Sequence, residues 1–129
     1  CEMGHSDRLV IADGNFPAES MGKAAKVIRM DGHGVPELLD AILQVFPLDT
    51  YVEQPVSLME VMPGDNVETP IWNVYQEIIE KREGFGPEVI GHRERFAFYE
   101  EAKKAYAIIA TGETALYANV MLQKGVVKS

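Results

Sequence analysis

Leu9-Val10-Ile11-Ala12-Asp13-Gly14-Asn15-Phe16-Pro17 decides the fold class, because a short apolar run stops at a cluster of turn residues. Four apolar residues closed by Asp, Gly and Pro read as a buried strand followed by a turn. Asp13 therefore stands at a strand's carboxyl end. Downstream, Lys26–Met30 reads as a second strand, closed by Asp31-Gly32-His33-Gly34. Pro36 at a first helical position opens a helix over Pro36–Phe46, with Leu38, Leu39, Ile42, Leu43 and Phe46 at helical spacing. Val56–Met62 is a strand, and Pro63-Gly64-Asp65-Asn66 is a turn. Thr69 as N-cap and Pro70 at N1 start a helix through Ile71, Trp72, Val74, Tyr75, Ile78 and Ile79, ending near Gly84. Glu94–Lys104 is predicted as another helix, with Phe96, Tyr99 and Ala102 on one face. Ala105–Ala110 is a strand ended by Gly112, and Val120-Met121-Leu122 begins the last one. Alternating strands and helices argue for an α/β sheet covered on both faces. In such folds ligand sites gather at the carboxyl ends of strands, a description met by Asp13 and by the Thr111-Gly112 turn.

Composition narrows the function. A chain of 129 residues, 47% of them hydrophobic, fits one domain with a core that needs no staples. Its single Cys, at position 1, has no internal disulfide partner, and nothing resembles a secretory signal or a long apolar span. Those features point to the cytoplasm. A formal charge of −8 repels phosphate backbones and anionic lipid, which argues against nucleic-acid and membrane partners. Lys103-Lys104 follows Glu100-Glu101 and reads as a solvated helix face with i,i+3 and i,i+4 pairs. The three His are scattered without ligand spacing, so no metal is expected. Ser20-Met21-Gly22-Lys23 lacks the spacing of a phosphate loop, no Gly-x-Gly-x-x-Gly follows the first strand, and no Gly-x-Ser-x-Gly elbow occurs. Trp72, in helical register with Tyr75 and Ile79, reads as core.

The chemistry-bearing stretch is Thr111-Gly112-Glu113-Thr114-Ala115-Leu116-Tyr117-Ala118-Asn119-Val120. Tyr117 and Asn119 lie two apart as a strand begins, and side chains two apart in a strand share a face. Aligned donors and acceptors of this kind suit a polyhydroxylated ligand. His5, in Gly4-His5-Ser6-Asp7, is either a surface His beside a helix end or an acid/base group working near neutral pH. Asp13 reads equally as an Asx-turn former before Gly14 and as a ligand-binding carboxylate. Arg95 stands at a helix start, where the dipole disfavours a cation, and this local disagreement hints at a purpose beyond a surface charge. His33 and His92 read as solvent-exposed bystanders.

Together with Glu2-Met3-Gly4-His5 and Arg95-Phe96-Ala97-Phe98-Tyr99-Glu100, this stretch resembles the L-fucose mutarotase family, relatives of the D-ribose pyranases. The resemblance runs in order along essentially the whole chain. It implies a three-layer α/β/α unit with a mixed sheet, and homo-oligomeric rings, decameric in bacteria, with sites formed partly across subunit contacts. It implies His5 as the acid/base residue, with Asp13, Arg95, Tyr117, the backbone of Ala118, and Asn119 holding L-fucose or a related monosaccharide, and no cofactor. Ribose pyranases tend to have His where this chain has Arg95, so Arg95 favours the fucose branch. The alternatives are a ribose pyranase and a non-catalytic sugar-binding ring protein. Family members carry an apolar helix ahead of Glu-Met-Gly-His, so residues 1–129 are expected to be a single domain lacking that N-terminal helix.

Overall fold

In the computed structural model, which describes residues 4, 6–14, 26–30, 32–61, 64, 68–115 and 117–125, the apolar runs become strands of one sheet. The elements in chain order are β1 (Arg8–Ala12), β2 (Lys26–Met30), α1 (Val35–Leu43), β3 (Val56–Met59) and α2 (Pro70–Glu83). A 3₁₀ turn (Pro87–Val89), β4 (Ile90–Arg93), α3 (Arg95–Ala102), β5 (Ala107–Thr111) and β6 (Val120–Gln123) complete them. The strand order across the six-stranded sheet is β2-β5-β1-β6-β3-β4. β6 runs antiparallel to both of its neighbours, β1 and β3, and the other five strands share one direction. The α/β sheet predicted from the alternation of elements is therefore present, and it is mixed, as the family resemblance implies. A single reversed strand in its middle brings the start of β6 level with the carboxyl ends of β1 and β3, since Val120 faces Ile11 and Leu58.

Side chains alternate across the sheet and so feed two cores. Leu9, Ile11, Val56, Leu58, Val120 and Leu122 face α1 and α2, where Leu39, Tyr75 and Ile79 are fully buried. Val10, Ala12, Met59, Ile108, Ala110 and Met121 face α3, whose Phe98 and Ala102 complete the second cluster. Strands covered on both faces read as continuous apolar runs, which is why β1 was legible. Among the described residues no helix is long and apolar enough to cross a membrane.

Several element ends differ from the sequence reading. β3 stops at Met59, and the Glu60 N–H just beyond it donates to the carbonyl of Arg93, the last residue of β4, at 2.7 Å. α1 ends at Leu43, although Phe46 remains buried beyond it. Gly84 caps α2 in the left-handed conformation (φ 75°), its N–H reaching the Glu80 carbonyl, as its position suggested. Thr69 holds the N-cap position but makes no side-chain cap bond. The larger correction concerns α3. Phe96 is 67% exposed, whereas Phe98 is fully buried with Ala102 one turn on. Both spacings are helical, and the choice between them belongs to the helix's orientation. Glu94, outside the helix as its N-cap, accepts from Phe96 N–H and Ala97 N–H and so fixes how the chain turns from β4 into α3. β4 itself escaped the sequence reading, being four residues long with Gly91 and His92 inside it.

Candidate active site

The carboxyl ends of β1 and β5 are tied together by short polar bonds. The Thr111 hydroxyl donates to the Ala12 carbonyl at 2.7 Å. One residue on, the Asp13 N–H donates to Asn119 Oδ1 at 2.7 Å, an orientation of the amide that the donor dictates. Asp13 and Asn119 are both buried. Gly14 N–H donates to the Glu113 carbonyl at 2.9 Å, and a Cβ on Gly14 would meet that same oxygen at 3.2 Å. Glycine is thus what lets the two loops approach. The Glu113 carboxylate accepts from Val35 N–H at the start of α1 (3.1 Å), from Thr114 N–H (3.1 Å) and from Ala115 N–H (3.2 Å). An anion at a helix N-terminus is favoured by the dipole, so Glu113 secures α1 to the turn after β5.

Tyr117 and Asn119 are not neighbours on one strand face, as the spacing suggested. β6 begins only at Val120, and Tyr117 sits before it in the left-handed region with φ 55°. Side-chain alternation does not apply through such a turn. The carbonyls here are taken by α2: Trp72 Nε1–H donates to the Tyr117 carbonyl at 2.8 Å, and the Tyr75 hydroxyl to the Ala118 carbonyl at 2.6 Å. Trp72 is therefore more than core, and its ring also lies 4.8 Å from that of exposed His92. Burial, reinforced by the Glu113 and Asp13 carboxylates, pushes the Tyr75 phenol well above its ordinary range.

The structure brings Asp13, Tyr117, Ala118 and Asn119 to one end of the sheet, and Arg95 follows β4, which ends at that same end of the sheet but three strands away from β1. The Tyr117 and Tyr99 side chains both pack against the second core cluster, and the Arg95 guanidinium lies 5.6 Å from the centre of the Tyr99 ring. A cation–π contact and the preceding Glu94 carboxylate account for a cation tolerated at a helix start. His5 lies outside the described residues. His33 is exposed and paired with Glu37 on α1. Sequence reasoning placed the Thr111-Gly112 turn at a strand end but gave no role here to Tyr75 or Glu113, because each is placed by a partner dozens of residues away.

Asn119→Ala is expected to lower stability by about 1–3 kcal/mol, because it leaves the Asp13 N–H buried without its acceptor. Urea unfolding of the two proteins measures the difference, and a loss below ~0.5 kcal/mol would show that this bond carries no weight.

The chain is similar to known proteins over almost its whole length. The family model described as RbsD / FucU transport protein family matches residues 1–127. Fucose mutarotase of Homo sapiens is 51% identical over 128 residues, which cover 96% of this chain and 82% of the human protein. Among solved structures, FucU from Bifidobacterium longum matches with a TM-score of 0.97 at 66% identity, covering 99% of this chain and 91% of that one. The fucose mutarotase of Streptococcus pneumoniae, solved in complex with L-fucose, matches with a TM-score of 0.92 at 50% identity, covering 98% and 88%.

Proposed function

The chain belongs to the RbsD / FucU transport protein family, and from that membership we propose that it interconverts the α and β anomers of L-fucose by assisted opening and closing of the sugar ring. One observation carries the reading: Asp13, Tyr117, Ala118 and Asn119 meet at one sheet end in a chain 50% identical to a protein solved with L-fucose. The reaction is an isomerisation with no net redox change. The ring oxygen gains a proton while the anomeric hydroxyl loses one, and the carbon–oxygen bond of the ring breaks to give the aldehyde. Rotation about the bond beside the aldehyde and reclosure on the other face return both protons. One acid/base group suffices, and it contributes about 10²–10⁴-fold. His5 has this role, on the strength of its Met-Gly-His setting. Asp13, Arg95, Tyr117, Asn119 and the backbone of Ala118 hold the hydroxyls. Such a site must restrict the sugar while leaving one bond able to turn.

The protein works in the cytoplasm without cofactor or metal, as a homo-oligomeric ring that is decameric by the family resemblance. Support for assembly comes from large apolar side chains left in solvent on the single chain, with Val45 76% and Tyr51 80% exposed. Exchange NMR with L-fucose and D-ribose at equal concentration tests the assignment. Faster α/β exchange of L-fucose is expected, and faster pyranose/furanose exchange of D-ribose would overturn it. Light scattering on the same sample reads the assembly, and a fully active monomer would refute the ring.

A further inference from the structure

Trp72 and Tyr75 stand three apart on α2, on one helical face, and both end in a hydrogen-bond donor. Each donor takes one of two successive carbonyls in the turn before β6: Tyr117 at 2.8 Å and Ala118 at 2.6 Å. In a planar trans peptide the carbonyl and the N–H of the same unit point in opposite directions. Drawing both carbonyls onto α2 therefore turns the N–H groups of Ala118 and Asn119 away from it. An extended strand would alternate them instead, and the left-handed Tyr117 is where the chain leaves that alternation. Two successive N–H groups on one side form a concavity that suits an oxygen carrying negative charge.

We propose that Trp72 and Tyr75 are positioning residues of the sugar site, which orient the Ala118 and Asn119 amides toward a sugar oxygen. The inference rests on the L-fucose reading above and deepens it. During ring opening and closing, negative charge develops on the ring oxygen and on the anomeric oxygen in turn, and donors fixed in advance stabilise such charge without reorganising. Neither Trp72 nor Tyr75 touches the sugar in this account. Both are suited to a permanent clamp: an indole N–H is a donor only, and the Tyr75 phenol is kept protonated by burial and by the Glu113 and Asp13 carboxylates. The ends of the clamped turn are themselves fixed, since Asn119 Oδ1 holds the Asp13 N–H and the Glu113 carboxylate holds the start of α1.

Tyr75→Phe removes the hydroxyl and keeps the ring, and Trp72→Phe removes the indole N–H. Full-length variants are compared with the parent by L-fucose exchange NMR across sugar concentrations, with thermal unfolding alongside. A clamp predicts a kcat lowered by about 10- to 100-fold at saturating sugar, with KM changing by far less, because misplaced donors weaken the transition state more than the ground state. His92→Ala, which removes the ring contact to Trp72 but not its N–H bond, is expected to keep the parental kcat within about twofold. A purely structural role would lower the unfolding temperature and leave kcat in the folded protein unchanged. That result in Tyr75→Phe, or in Trp72→Phe if Tyr75→Phe does not fold, overturns the proposal. A parent that does not accelerate L-fucose exchange overturns the functional reading instead, before any variant is measured.

Discussion

His5→Gln is expected to abolish anomer exchange, losing about 10²–10⁴-fold above the uncatalysed background. L-fucose should nonetheless bind within about tenfold of the parental affinity, or ~1.4 kcal/mol. The separation follows from the chemistry of the two side chains. Gln can donate and accept hydrogen bonds much as imidazole does, but it cannot exchange a proton near neutral pH. Parental activity should therefore change between about pH 5 and 8, the range in which imidazole titrates, and this dependence should vanish in the variant. Arg95→Ala makes the contrast, because a residue that holds hydroxyls loses affinity together with rate. Calorimetry supplies the dissociation constants and exchange NMR the rates. A His5→Gln protein that interconverts anomers at the parental rate would leave the acid/base role untenable.

Phe98→Ala should cost about 3–5 kcal/mol of stability, the largest effect expected of any side chain on α3. Phe98 is fully buried among Val10, Ala12, Met59, Ile108, Ala110 and Met121, and truncation leaves a cavity that these strand residues cannot collapse to fill. Phe96, two residues earlier and 67% exposed, should cost less than about 0.5 kcal/mol when changed to Ala. Urea unfolding of both variants decides between the two faces of the helix. Equal losses would mean that α3 presents a different face to the sheet. The same core supports the site, because Ala12, one residue before Asp13, lies in this cluster.

Much of the architecture was written locally. β1 and β5 are centred on runs of apolar and β-branched residues closed by Gly or Asp, and α1 and α2 carry Pro in their first turn with apolar residues at helical spacing. Such signals depend on residues a few positions apart, so a sequence displays them. β4 had no signal of that kind, since a four-residue edge strand containing Gly91 and His92 is stabilised by pairing with β3 rather than by its own composition. The buried face of α3 was equally hidden, because Phe96 and Phe98 both fit helical registers and only the Glu94 cap and the sheet beneath choose between them.

For the candidate site, the sequence by itself determined which residue types stand near strand ends: Asp13 after β1, Thr111 at the end of β5, Tyr117 to Asn119 before β6. Only the tertiary structure decided how they meet. β6 runs against its neighbours, which delivers Asn119 to Asp13 across 106 positions of chain, and α2 reaches Tyr117 from Trp72 across 45 and Ala118 from Tyr75 across 43. The left-handed Tyr117 replaced the strand alternation that its spacing suggested. Periodicity records how a segment faces water and core, whereas a hydrogen bond between distant segments depends on where the whole sheet places its ends.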